Sequence, residues 1–279
     1  MGLFDGKKGL VLGVANDRSI AWAIAKTIME EGGEIGFTHL PDRPDDEKQK
    51  NRRRVTKCTD QFPEQTKFVV PMNVQDDDNI AAVMEAAKQE FGEIDFLLHS
   101  IAFADRDDLN RDTVETSRDG FKMAMEISAY SLIAVANAAK GIIKDNGAIA
   151  TMTYFGGEKC VPGYNVMGIC KAALEAAVRY LAYDFGPRGV RVNALSAGPL
   201  KTLAGSAAGV SEMLTMYQDI APLCRNITHD EVGRSGAFLL SDFSDGITGE
   251  VLHIDGGYNA MGSPGRLLDK VRELQQGNQ

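Results

Sequence analysis

Three residues in the middle of the chain are of the kind that hold charge and move protons: Tyr154, Tyr164 and Lys171. Tyr164 and Lys171 are seven apart, two helical turns, so a helix there places them on one face with about 10.5 Å of axial rise between them. A phenol can donate a hydrogen bond to a developing oxyanion and help deliver a proton. A lysine ammonium can bind hydroxyls and lower the cost of negative charge nearby. From opposite ends of such a span the two side chains can converge on one bound ligand. Taken alone, such a pair is more commonly a surface lysine and a core-edge tyrosine, and the surrounding chain decides between the two.

That chain alternates short apolar runs with longer amphipathic stretches from end to end. Strands are expected at 9–13, 34–38, 67–70, 94–99, 148–152, 190–195 and 251–254, and helices at 20–31, 79–91, 120–144, 171–185 and 230–240. Unbroken apolar strands separated by amphipathic helices imply a parallel sheet covered on both faces. No repeat or linker divides the chain. The expectation is an α/β fold: one doubly wound, Rossmann-type domain over 1–279, with seven parallel strands whose order reverses near the middle. Tyr164 and Lys171 then follow the fifth strand, at the edge where such sheets bind ligands.

The same edge offers a dinucleotide site. The first strand ends at Gly13, and the chain continues Val14-Ala15-Asn16-Asp17-Arg18-Ser19-Ile20-Ala21 into a helix, a turn that would aim backbone N–H groups at a pyrophosphate. The three-glycine fingerprint is incomplete, with Ser19 and Ala21 in the later positions, and Ser19 reads as a helix cap as readily as a phosphate contact. After the second strand, Thr38-His39-Leu40-Pro41-Asp42-Arg43 has neither the acid that grips a ribose nor a clear basic partner for a 2′-phosphate. Asp42, Asp45 and Asp46 would repel a phosphate and Arg43 would attract one, a balance that leans to NADH. Asn73-Val74 after the third strand could bracket an adenine. The small residues of His99-Ser100-Ile101-Ala102-Phe103-Ala104 after the fourth would admit a nicotinamide ribose.

Composition narrows the alternatives. Of 279 residues, 44% are hydrophobic and 25% charged, which suits a globular domain and excludes disordered and fibrous classes. Glycine is high, at 29 where about 7% is usual, as backbone close to a ligand would require. The net charge of -9 disfavours a polyanion-binding surface, and Lys48-Gln49-Lys50-Asn51-Arg52-Arg53-Arg54, preceded by acids, reads as a solvated helix face rather than a nucleic-acid patch. The four cysteines make no CxxC pair and the four histidines no HExxH, so no metal site is expected. Gly2 lacks the Ser or Thr that myristoylation requires, and no run is long enough for a membrane span. A cytoplasmic protein is expected. The stretch at about 200–220, rich in small residues, reads as a mobile substrate loop, and 262–279 as a polar tail.

With these motifs in place the chain resembles the short-chain dehydrogenase/reductases, with one diagnostic departure. Ordinary members carry a tyrosine four residues before the lysine, where this chain has Met167. The pattern Tyr154-x9-Tyr164-x6-Lys171 resembles instead the divergent enoyl-[acyl-carrier-protein] reductases of type II fatty acid synthesis. Gly13-x5-Ser19-Ile20-Ala21, His99-Ser100-Ile101 and Ser196-Ala197-Gly198-Pro199-Leu200-Lys201-Thr202-Leu203-Ala204 fit the same branch, and Asp255-Gly256-Gly257 fits the wider family.

The resemblance implies reduction of a trans-2-enoyl thioester by NADH, with Tyr164 stabilising an enolate oxygen, Lys171 serving the nicotinamide ribose and Tyr154 either a second active-site tyrosine or a wall of the acyl pocket. It carries cofactor contacts onto Gly13, Ser19, Ile20, Leu40, Asn73, Val74, Ile101, Lys171, Leu200, Lys201, Thr202, Leu203 and Ala204, and a substrate contact onto Ala104. It implies a homotetramer that meets an acidic acyl carrier protein. The helix after the substrate loop holds no Lys or Arg, so Lys201 or Arg225 would have to serve that docking. The alternatives are an ordinary carbonyl reductase or alcohol dehydrogenase on the same fold, which Met167 opposes, and a dinucleotide sensor without turnover, which Tyr164 and Lys171 oppose. A Cys160 or Cys170 nucleophile finds no histidine nearby in the sequence.

Overall fold

Seven apolar runs pair into one parallel sheet in the order β3-β2-β1-β4-β5-β6-β7. The computed structural model describes residues 2–202 and 210–277. The strands are β1 (Lys8–Leu12), β2 (Glu34–His39), β3 (Thr66–Pro71), β4 (Ile94–His99), β5 (Ile143–Thr153), β6 (Arg191–Ala197) and β7 (Val251–Ile254). The order reverses between β1 and β4, which pair in parallel with Leu12 opposite His99. That junction is the switch point where sheets of this kind open a crevice at their carboxyl edge.

The helices are α1 (Ile20–Glu30), α2 (Lys50–Thr59), α3 (Asp77–Phe91), α4 (Arg106–Asn110), α5 (Arg118–Met125), α6 (Ser131–Ala139), α7 (Asn165–Phe185), α8 (Val210–Ile220), α9 (His229–Leu240) and α10 (Leu267–Gly277). They bury one core on each sheet face. On one face, Ile80 and Val83 of α3, Leu132 and Val135 of α6, and Leu174 and Val178 of α7 cover the sheet. On the other, Trp22 and Ile24 of α1, Val55 of α2, and Val232 and Leu239 of α9 do so. Each strand is thus apolar on both sides, the physical reason the strand sequences lack alternation. No described helix is long and apolar enough to cross a membrane.

Two expectations change. The helix expected over 120–144 is two helices joined by a π-helical turn, Glu126–Tyr130, and it ends at Ala139 because β5 already begins at Ile143. An apolar run such as 142–143 carries no sign of whether it closes a helix or opens a strand, and here pairing of Ile143 with Ile94 decides. The helix expected to hold Asn165–Lys171 and the one expected over 171–185 are a single element, α7. The polar tail contains a helix, α10, tied to α8 by an ion pair of Lys270 with Asp219 at 2.7 Å and by Arg266 Nη1 donating to the Ala221 carbonyl.

Candidate active site

The residues expected to hold a cofactor follow successive strands at the carboxyl edge of the sheet. Gly13 leaves β1 with φ +98, and a Cβ on it would lie 2.0 Å from the Ser100 carbonyl oxygen, so only glycine fits this crossing of two strand ends. Ser19 stands at the N-cap position of α1 yet makes no cap bond. Its hydroxyl accepts instead from the Ala15 and Asn16 N–H groups, both at 3.0 Å, and so shapes the β1–α1 turn. Leu40 lies 65% exposed just past β2. Asn73 Oδ1 accepts from Gln75 N and Val74 is buried in the core below it. Ile101 follows β4 and packs on the same core. Leu200 is buried after β6, with its carbonyl accepting from Thr202 N at 2.8 Å, and Lys201 is exposed beside them. Leu203 and Ala204 lie outside the described residues.

The chemical end is built by β5 and α7. Tyr154 follows Thr153 at the end of β5, and Tyr164 is the residue just before α7. Their rings meet edge to face with centroids 4.7 Å apart. The turn between β5 and α7 lies flat on the helix: a Cβ on Gly156 would come 2.5 Å from the Tyr164 ring. Burial is the main cause that pushes both phenols well above the ordinary tyrosine range, so each is a neutral hydrogen-bond donor at physiological pH. Lys171 is 5% exposed and its Nζ donates to the Met152 carbonyl at 2.7 Å. Burial pushes its ammonium down to about 8.

Met167, at the position where carbonyl reductases place their tyrosine, is buried, and its Sδ takes a 3.7 Å contact from the Ser128 hydroxyl. Ser128 belongs to the π-helical turn, and its hydroxyl bridges the N–H and carbonyl of Phe103, both at 2.9 Å. That contact fixes the backbone beside Ala104, which packs against Ala124, Val166 and Cys170. Single π-helical turns inside helices are frequent at functional sites.

Sequence reasoning missed several polar groups around this constellation. His99 is fully buried, with Nδ1 3.0 Å from the Thr151 hydroxyl and Nε2 2.9 Å from that of Ser131, and burial depresses its imidazole to about 3. Ser131 gives its proton to the Ile127 carbonyl, so His99 Nε2 donates and Nδ1 accepts from Thr151. Glu175 is buried one turn beyond Lys171, a carboxyl on the face that also carries Leu174 and Val178, and that position was the signal available in the sequence. Tyr217 of α8 stacks on Tyr258 at 4.1 Å, and its buried hydroxyl has no hydrogen-bond partner. No local pattern distinguishes Tyr217.

A switch-point crevice, a glycine that admits only backbone, a buried lysine and two neutral phenols define the class: a Rossmann-type, dinucleotide-dependent oxidoreductase. The residues fit such a cofactor on structural grounds: Gly13 draws the end of β1 tight against the Ser100 backbone at the switch point, and Tyr217 presents an orphaned buried hydroxyl beside Gly198 at the same edge. The family described as "Enoyl-(Acyl carrier protein) reductase" matches residues 13–259. The NADH-type enoyl-[acyl-carrier-protein] reductase FabI of Nostoc sp. is 46% identical over 92% of this chain and 98% of that protein. The corresponding Bacillus cereus protein is 47% identical over 94% and 100%. Among solved structures, the Anaplasma phagocytophilum reductase in complex with NAD has a TM-score of 0.87 at 41% identity, over 94% of this chain and 97% of that one. The Bacillus cereus reductase with NADP+ and an indole naphthyridinone has a TM-score of 0.89 at 46% identity, over 94% and 100%. The chain belongs to the enoyl-[acyl-carrier-protein] reductase family.

Proposed function

We propose that this chain reduces the carbon–carbon double bond of a trans-2-enoyl thioester carried on acyl carrier protein, with NADH as reductant, in the last reductive step of type II fatty acid elongation. The observation that carries the reading is the placement of the tyrosine. Met167 fills the position one turn before Lys171, while Tyr164 stands a further turn away at the start of α7. In an enoyl thioester the oxygen that gathers negative charge lies beyond the β carbon under attack, farther from the ribose than a ketone oxygen would be. A donor displaced outward from the lysine suits that reach.

Gly13, Ser19 and Ile20 would take the pyrophosphate at the β1–α1 turn, Leu40 and Asn73-Val74 the adenosine, and Ile101, Lys171 and Leu200–Ala204 the nicotinamide half. When bound, the nicotinamide would supply a hydride, a proton with two electrons, to the β carbon, and a second proton, taken up from the site, would reach the α carbon to complete the reduction. Lys171 would hold the ribose hydroxyls and contribute positive charge to the site. Tyr164, neutral at working pH, donates its hydrogen bond to the thioester oxygen as charge develops, an interaction stronger in the transition state than in the bound substrate. Tyr154, edge-on to Tyr164, walls the acyl pocket and holds the Tyr164 ring, and Ala104 lines the substrate side.

A cytoplasmic homotetramer accords with the exposed aromatic residues of α7, Tyr180 and Tyr183, whose burial against a second copy would remove a large apolar area from water. Of the two candidates for carrier docking, Arg225 is held by Glu231 through two hydrogen bonds, at 2.6 and 3.0 Å, which leaves Lys201 as the exposed charge beside the site.

The test follows NADH and NADPH oxidation with crotonyl-coenzyme A and a longer 2-enoyl thioester, against a β-ketoacyl thioester as control. Turnover of the enoyl substrates with NADH is expected. Oxidation driven by the ketoacyl thioester alone would make the protein a carbonyl reductase, and no turnover at all would make it a sensor.

A further inference from the structure

The helix that presents Lys171 buries a second ionisable group that the reading above does not use. Glu175 lies one turn further along α7, and residues four apart stack on one helix face. Like Lys171, it is 5% exposed. Its Oε1 accepts a 2.6 Å hydrogen bond from the hydroxyl of Thr153, the last residue of β5, directly before Tyr154. The turn after Tyr154 closes over this carboxyl: a Cβ on Gly157 would lie 2.5 Å from Oε1 and 3.0 Å from the Lys171 carbonyl carbon. A buried carboxyl with one hydroxyl donor has lost more hydration than that bond restores, and an apolar side chain of similar volume would cost less there. Its placement needs a reason other than packing.

We infer that Glu175 is a positioning residue for the reduction, whose carboxylate keeps Lys171 in the charged form that grips the nicotinamide ribose and, through Thr153, fixes the strand end that carries Tyr154. This rests on the reading of Lys171 as the ribose-binding group. The groups around the pair are few. On α7, Cys170 and Glu175 both favour the Lys171 ammonium against the burial that depresses it. From β4, His99 faces Lys171 and stays neutral, and from β5 the Met152 carbonyl accepts its proton. Around Glu175, burial and Glu158 of the turn disfavour the charge, while Thr153 of β5, Arg179 of α7 and His253 of β7 favour it. Tyr164 also lies within electrostatic reach of Glu175. Glu158 is itself in contact with His253 Nε2, at 2.7 Å.

Removal of the Glu175 charge lets Lys171 lose its proton at lower pH. Binding that needs the ammonium weakens as pH rises through the Lys171 pKa, so the alkaline limb of NADH affinity moves to lower pH. NADH dissociation constants from pH 6 to 9.5, read by cofactor fluorescence, test this in the whole protein. In Glu175→Gln, which keeps an acceptor for Thr153, the limb should move down by about one pH unit. That shift corresponds to roughly fivefold weaker binding at pH 8 and little change at pH 6. Glu175→Asp, which keeps the charge, should retain the limb near its original place, and Glu175→Ser, which keeps a polar atom without charge, should move it as Gln does. A limb that stays put in both Glu175→Gln and Glu175→Ser overturns the inference, and the Ser–Asp pair decides alone where the Gln variant does not fold. Lys171→Arg separates the two readings, because arginine does not titrate in this range. If the limb survives in Lys171→Arg, the assignment of Lys171 to the ribose fails. If it disappears there but is unmoved in the uncharged Glu175 variants, only the role of Glu175 fails.

Discussion

The two edges of the sheet treat their polar groups in opposite ways. At the amino edge, where β1, β4 and β5 begin, charges are matched within the chain. Asp95 accepts from the Lys8 N–H and pairs with Lys144 at 3.0 Å, Lys7 pairs with Asp242 at 3.0 Å, and Arg188 with Asp145 at 2.8 Å. Arg191, buried at the start of β6, donates to the Leu239 and Ser241 carbonyls and the Ser244 hydroxyl. At the carboxyl edge, among the described residues, Lys171 has one carbonyl, Glu175 one hydroxyl and Tyr217 nothing. A cavity of about 440 Å³ lies at the amino edge, lined by Lys7, Asp95 and Asp242, far from the tyrosines. The reacting end is marked by buried polar groups short of partners, because catalytic groups must keep bonding capacity for a ligand, at a cost in stability.

Four substitutions test this contrast, from the largest expected effect down. Tyr164→Phe should lower kcat on an enoyl thioester by about 10²–10³-fold, the usual loss for one oxyanion donor. Its melting temperature should stay within about 2 °C of the original, since no protein partner of the hydroxyl is lost. A large loss of stability with kcat intact would erase the distinction between the edges. Arg191→Met should do the reverse. It leaves the buried Leu239 and Ser241 carbonyls to share the single Ser244 hydroxyl proton, so unfolding by denaturant should show a loss of about 3 kcal/mol, with kcat of the folded enzyme unchanged.

His99 gives a pH dependence. Its folded pKa, about 3, lies below the ordinary 6.5, so between those values the unfolded chain holds a proton that the folded one does not. Stability from this group is full above pH 6.5 and is lost as pH falls, by about 2 kcal/mol at pH 5. Melting at pH 7 and pH 5 should show a larger drop for the wild type than for His99→Gln, and equal drops would mean His99 is not held neutral. The smallest effect is expected from Tyr217→Phe. Deleting an orphaned buried hydroxyl should stabilise the free protein by about 1 kcal/mol, roughly 2–4 °C in melting temperature. A fall in melting temperature would show that Tyr217 already has a partner, and would weaken the contrast.

Most of the fold was legible because its signals are local. Apolar runs between amphipathic stretches place the strands, and the Tyr164–Lys171 spacing needs only helical periodicity. The reading failed where two local signals compete, as at 140–144, which propensity extends as helix and which pairing with β4 claims as strand. Ser19 shows a second kind of limit: its position marks a cap, but only the curvature of the β1–α1 turn reveals that its hydroxyl serves Ala15 and Asn16 instead.

By itself, then, the sequence determined the doubly wound sheet and the edge at which a dinucleotide is expected, both from residue type and spacing, while the displaced tyrosine pointed to enoyl rather than carbonyl chemistry through the family it resembles. The tertiary structure alone decided which polar groups share the buried interior behind that tyrosine. Thr153 meets Glu175 from another element, His99 meets Ser131 and Thr151, and the Tyr154–Gly157 turn seals the carboxyl from water. A carboxyl on a helix is solvated or buried according to what packs over it, and that cover comes from segments distant in the chain, where no local pattern reaches.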